Sequence, residues 1–148
     1  SPSLLALPPS EDALQRVLQK QNLPYAKSIP NGLQTPIQTE FGVWQLSLQY
    51  FEEQKVLYIA INDYLWLDSS VTAQSTVFAF TQMLTQNHSM VGGKFQLNPT
   101  SGAITIGTEL TAVDAILEPN LHQAIETLVY LGKDNYPMLQ TALGANFY

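Results

Sequence analysis

Two hydrophobic rhythms alternate along this chain, one of period two and one of period three to four. From Phe41 the period is two: Trp44, Leu46, Leu48 and Tyr50 fall on one side, Gln45, Ser47 and Gln49 on the other. That pattern predicts a strand with one buried and one polar face. A polar link, Glu52-Glu53-Gln54, leads to a partner strand over 55–61, where Leu57, Ile59 and Ile61 oppose Val56, Tyr58 and Ala60. Apolar residues on both sides predict a central strand, or one covered twice. Asn62-Asp63 then predicts a bend before Tyr64-Leu65-Trp66-Leu67.

The helical rhythm appears three times. Ser10 as N-cap, Glu11 and Asp12 in the first turn, and Leu14, Val17 and Leu18 predict a helix that ends near Gln21, before Asn22 and Pro24. Asp68, Ser69 or Ser70 can cap a second helix reaching about Asn87. Ala73, Val77, Phe80 and Leu84 form its expected buried stripe, widened by Phe78 and Met83. A third starts at Glu118-Pro119, since proline fits the first helical position. Leu121, Ile125, Leu128 and Leu131 give its buried face, and Leu139 and Leu143 continue it beyond Pro137. That proline is expected to kink or split the helix near Asn135-Tyr136.

Between the second and third helices lies a hairpin, and the rest of the chain is organised around the stretch 92–143, supplying a sheet and two helices for it to pack on. Gly92-Gly93 opens it, Phe95 and Leu97 share one face, and Ile104 and Ile106 share one face of the return strand. Asn98-Pro99-Thr100-Ser101-Gly102 supplies the turn. Upstream, residues 25–29 read as a short edge strand and Pro30-Asn31-Gly32 as a turn. Pro36 is expected to keep the next residues irregular or at an edge. Three prolines make residues 1–9 an extended arm, and 10–148 a single domain. The predicted order is α-β-β-β-α-β-β-α, an α+β fold with an antiparallel sheet.

Composition narrows the function more than the fold. The 148 residues suit one domain with one core. Charged residues are 12%, about half the usual share, so Gln, Asn, Ser and Thr cover the surface. The net charge is −6, and Arg16, Lys20, Lys27, Lys55, Lys94 and Lys133 are scattered rather than clustered. Nothing there neutralises a run of phosphates or anchors to anionic lipid, which argues against nucleic acid and membrane as partners. With no cysteine, thiolate nucleophiles, disulfides and Cys-based metal sites are excluded.

The remaining polar residues assemble no reaction. His88 and His122 stand alone, without the neighbouring ligands a zinc site wants. Glu118 and Glu126 lie four residues either side of His122, which on a helix means a surface pair. Glu52 and Glu53 are adjacent in a connection and point apart into water. Gly92-Gly93-Lys94 fails as a phosphate loop, because His88 and Phe95 stand where glycine and a hydroxyl residue are needed. Asn87-His88-Ser89 fits the glycosylation sequon, a short pattern with frequent chance matches. No Gly-x-Ser-x-Gly elbow occurs. The reading is of a protein with no catalytic residues, no metal and no cofactor.

The element order resembles the type III secretion chaperone-like fold, and the second half resembles the YbjN (bacterial sensory transduction regulator) family. The resemblance rests on the hairpin 44–61, on Asn87 closing the middle helix, on Gly93-Lys94-Phe95-Gln96-Leu97-Asn98 with Gly102, and on Asn135-Tyr136-Pro137 in the last helix. It spans roughly residues 10–143 and implies a small, acidic, usually dimeric, non-enzymatic protein. Secretion chaperones of this shape hold a client's extended segment against sheet and helix. The low charge and high glutamine content depart from a typical member.

The expectation is therefore a bacterial, cytoplasmic, homodimeric protein-binding module, chaperone- or adaptor-like, that holds a partner segment on its sheet or strand edge. Its candidate contacts are Trp44, Tyr58, Trp66 and Phe95. Core packing is an equally open reading for such aromatics. The alternative is a regulatory domain that binds a small ligand between helix and sheet.

Overall fold

A computed structural model describes residues 19, 26–29, 32–51, 53–67, 70–111 and 118–144. Along them run β1 (Ala26–Ile29), β2 (Gly32–Thr39), β3 (Gly42–Phe51), β4 (Val56–Trp66), α1 (Ala73–Ser89), β5 (Lys94–Leu97), β6 (Ala103–Thr111) and α2 (Glu118–Gly144). The strands form one antiparallel sheet in the order β1-β2-β3-β4-β6-β5. The expected arm, 1–9, and the expected first helix, 10–21, lie outside the described residues, except for Gln19, which is helical.

Among the described residues four strands precede α1, not the expected three. The additional one, β2, pairs with β3 along its whole length, from Gly32↔Gln49 to Thr39↔Gly42. Pro36 stands opposite Gln45 of β3, beyond the stretch from Gly32 to Gln34 that β1 pairs among the described residues. A proline is tolerated in a strand where no neighbouring strand calls on its missing N–H.

The expected bend at Asn62-Asp63 is a bulge inside β4, where the register to β6 shifts between Ile61 and Leu65. Asp63 takes φ 52°, a left-handed conformation that Asp tolerates better than most residues. β4 is central, as its two-sided apolarity predicts, with β3 on one side and β6 on the other.

One face of the sheet is covered by α2. Leu33, Trp44, Leu46, Leu48, Leu57, Ile59, Ile61, Ile104 and Ile106 meet Leu121, Ile125, Leu128 and Leu139 in a single core. Tyr64, past the bulge, turns into that layer and donates from its hydroxyl to the carbonyl of Gly132 at 2.6 Å. Its ring also packs on Trp44 and Tyr136, with centroids 5.2 and 5.4 Å away. Pro137 does not split α2. It is exposed, and just before it Asn135 Nδ2 donates to Leu131 O at 2.9 Å.

The opposite face is mostly polar: Gln34, Gln45, Ser47, Gln49, Tyr58, Asn62, Thr105 and Gln96 share it by register, with Glu109 beside Tyr58 adding a charge. Tyr58 lies across Gly107, where a Cβ would meet its ring atoms at 2.8 Å, and hydrogen-bonds Gln96 on the far strand.

Helix and sheet approach closely at Gly132. A Cβ there would sit 3.0 Å from Trp44 Cζ3 and 3.3 Å from Ile61 Cδ1, both on buried side chains with little freedom to move. Gly132→Ala gains about 1 kcal/mol of helix propensity. Overpacking costs about 1–3 kcal/mol and outweighs it. The variant is expected to unfold at lower urea concentration than the parent, and a higher midpoint would contradict this packing.

Candidate interaction surface

Helix α1 begins at Thr72, whose hydroxyl accepts from Ser75 N at 3.1 Å. The expected caps at 68–70 lie too far upstream to reach that donor. Its apolar stripe does not face the core. Only Ala79 and Met83 are buried, whereas Val77 is 64% exposed, Phe78 50% and Leu84 69%. This corrects the expected inner face in part: Phe80 and Met83 pack on the core, whereas Ala73, Val77, Phe78 and Leu84 are exposed. The physical reason is that α2 already covers the sheet, so among the described elements α1 packs mainly on the flank of α2 and the edge strand β5. Burial of a Val, Leu or Phe side chain is worth about 1.5–3 kcal/mol, so three such residues leave considerable burial unused.

Two concavities flank this stripe. On the β5 side, a cleft of about 220 Å³ is lined by Phe80, Met83, Leu84, Asn87, Phe95, Gln96 and Leu97. On the α2 side, a broader groove of about 700 Å³ runs between Gln74, Ser75 and Phe78 and the last turns at Pro137, Met138, Thr141 and Ala142. Both are open to solvent.

The end of α1 is bolted to β5. Lys94 Nζ donates to the carbonyls of Asn87 and Met90, each at 2.6 Å, where the helix C-terminus favours a cation. The Asn87 carboxamide bridges the strand backbone: it accepts from Phe95 N at 2.7 Å and donates to Phe95 O at 3.2 Å. Sequence reasoning treated Asn87 only as a helix terminus and a sequon. With its amide committed to Phe95, it does not offer that amide to a glycan. The available signal was its position, eight residues before a strand residue and facing back across Gly92-Gly93.

The four expected contact residues are not brought together. Trp44 and Phe95 are buried in the core of this chain, Tyr58 is half-buried on the polar face, and Trp66 is 50% exposed at the end of β4. Phe95 reaches the surface through its backbone rather than its ring. His122 Nε2 lies 2.9 Å from Glu126 Oε1 on the exposed side of α2, and His88 is exposed at the end of α1. Among the described residues no group of three or more His, Asp or Glu is placed to hold a metal ion.

Two tyrosines are held protonated. Burial, then the neighbouring Tyr136 and Asp134, pushes the Tyr64 phenol well above its ordinary range. Burial also raises Tyr58, partly offset by its bond to Gln96, and Glu109 raises it further.

Comparison with known proteins returns no matching family model and no matching curated protein. Among solved structures, a chain of the crystal structure of the ExsC–ExsE complex has this fold, with a TM-score of 0.62 and 12% identity. The match covers 86% of this chain and 91% of that one. It supports the chaperone-like α+β architecture expected from the sequence. Membership of the YbjN family is not supported by any family match. No helix among the described residues is long and apolar enough to cross a membrane.

The raised tyrosines set an alkaline limit on stability. Above about pH 10 the unfolded chain ionises its tyrosines while folded Tyr64 keeps its proton, so stability present at neutral pH falls as pH rises. The slope contributed by one such group is about 1.4 kcal/mol per pH unit. In urea titrations between pH 9 and 11, Tyr64→Phe should lower stability at neutral pH and flatten this decline. An unchanged slope would mean that Tyr64 ionises in the folded state.

Proposed function

We propose that this chain is a non-enzymatic protein-binding module, chaperone- or adaptor-like and of YbjN type, working as a homodimer in the cytoplasm. The observation that carries the reading is the outward apolar stripe of α1, with a cleft on one side and a groove on the other. A contiguous apolar surface rimmed by neutral polar groups marks a protein contact. The fold neighbour supports it, being a chain from a complex of two proteins.

The two flanks divide the work. The groove beside Phe78 takes the second copy, because its breadth accommodates a helix. The narrower cleft at Leu84 takes a side chain of a partner's extended segment, the strand-edge and groove mode of peptide recognition. Trp66, and Tyr58 on the polar face, extend the contact; Trp44 and Phe95 contribute by holding the strands beneath it. A small-ligand role fits less well, because the cleft falls short of the roughly 300–1,000 Å³ of ordinary ligand sites. The larger groove is an open trough rather than an enclosed pocket.

A photo-crosslinking residue placed in the native host tests both halves. At Phe78 it should give an adduct of twice the chain mass. At Leu84 it should give a discrete adduct of another mass, and at exposed Gln140 neither. No adduct above the Gln140 background at either position would overturn the reading.

A further inference from the structure

The outer edge of β5 already shows what chemistry it binds. In an antiparallel ladder, alternate residues direct both backbone groups to the partner strand and the others direct them away. Asn98 N donates to Ala103 O, so Asn98, Gln96 and Lys94 face β6, and Phe95 and Leu97 face outward. An outward N–H and C=O on one residue are what a further strand would pair with. At Phe95 they are met instead by a carboxamide, the side chain of Asn87, which presents one acceptor and one donor as a peptide group does.

We propose that the outer edge of β5 at Phe95 is a receptor for a peptide group, held closed by Asn87: an extended partner segment displaces the Asn87 carboxamide and pairs with Phe95. The incoming segment exchanges one amide for another, so few hydrogen bonds are gained or lost. Selectivity comes from the adjacent side chain of the segment, which enters the cleft among Phe80, Met83, Leu84 and Leu97. An apolar, unbranched or γ-branched residue suits that lining, and alternate residues point to solvent, as in any strand. Lys94 stays bonded to the α1 carbonyls throughout, since its partners are backbone atoms of Asn87 and Met90 and not the displaced amide. Asn87 therefore lowers apparent affinity by the fraction of time it occupies the edge. This rests on the protein-binding reading above and adds the regulation of its cleft.

The test uses the full chain and a short blocked peptide of alternating threonine and leucine, followed by NMR and calorimetry. In the unaltered chain, binding should release the Asn87 side-chain amide signals to solvent-like positions while the Phe95 amide remains protected from exchange. Asn87→Ala should bind the same peptide about tenfold more tightly, because the internal competitor is gone. Equal or weaker binding by Asn87→Ala overturns the competition. So does an Asn87 amide that stays on Phe95 in the bound, unaltered chain, a readout that needs no variant to fold. In either case the bound peptide leaves the protein-binding reading standing. Binding by neither form overturns the receptor, and the crosslink from Leu84 then decides separately whether the surface contacts protein.

Discussion

The close approach of α2 to the sheet at Gly132 sets the rest of this structure. A glycine at that point lets the helix backbone come down on Trp44 and Ile61. The same residue's carbonyl receives the Tyr64 hydroxyl. Side chains of β3, β4 and β6 meet α2 in one core, to which α1 contributes Ala79 and Met83. α1 is held at the margin by its flank and its C-terminal end. Its unburied stripe follows from the layer arrangement rather than from any oddity of its own sequence.

What could be read from the chain follows the same logic. Alternation at 44–50 and two-sided apolarity at 56–61 name strand direction and centrality, because period and burial are properties of the strand itself. β2 was not legible: Gln34, Thr35, Pro36 and Gln38 dilute its Leu33 and Ile37, and a proline argues against a paired strand. The bulge at Asp63 reads as a bend from sequence, since the neighbouring strand that keeps it in the sheet is distant along the chain. For α1, periodicity reveals that the helix has an apolar face but not what covers it. Ala79 and Met83 on one side and Val77, Phe78 and Leu84 on the other are both apolar, and only the packing of α2 decides between them.

The place of the candidate surface was not legible. A neutral composition rich in amides and aromatics favours protein contact over phosphate, but it does not say where on the chain. The particular aromatics divide by depth: Trp66 is accessible, whereas Trp44 and Phe95 pack inward. The edge of β5 depends on a single polar residue, Asn87, whose role comes from a strand that starts only after the helix has ended. Its distance of eight residues from Phe95 is a weak signal, because its partner is a backbone and not a side chain.

The claim on which this account stands is that the α1 stripe lies outside the core of the chain. The absence of cysteine permits a direct test by thiol labelling of the folded protein, comparing Leu84→Cys with Leu128→Cys, which replaces a fully buried residue. The account predicts that Leu84→Cys is modified at nearly the rate of a free thiol under native conditions, while Leu128→Cys waits for unfolding. Equal, slow labelling of both would place the stripe in the core and contradict it.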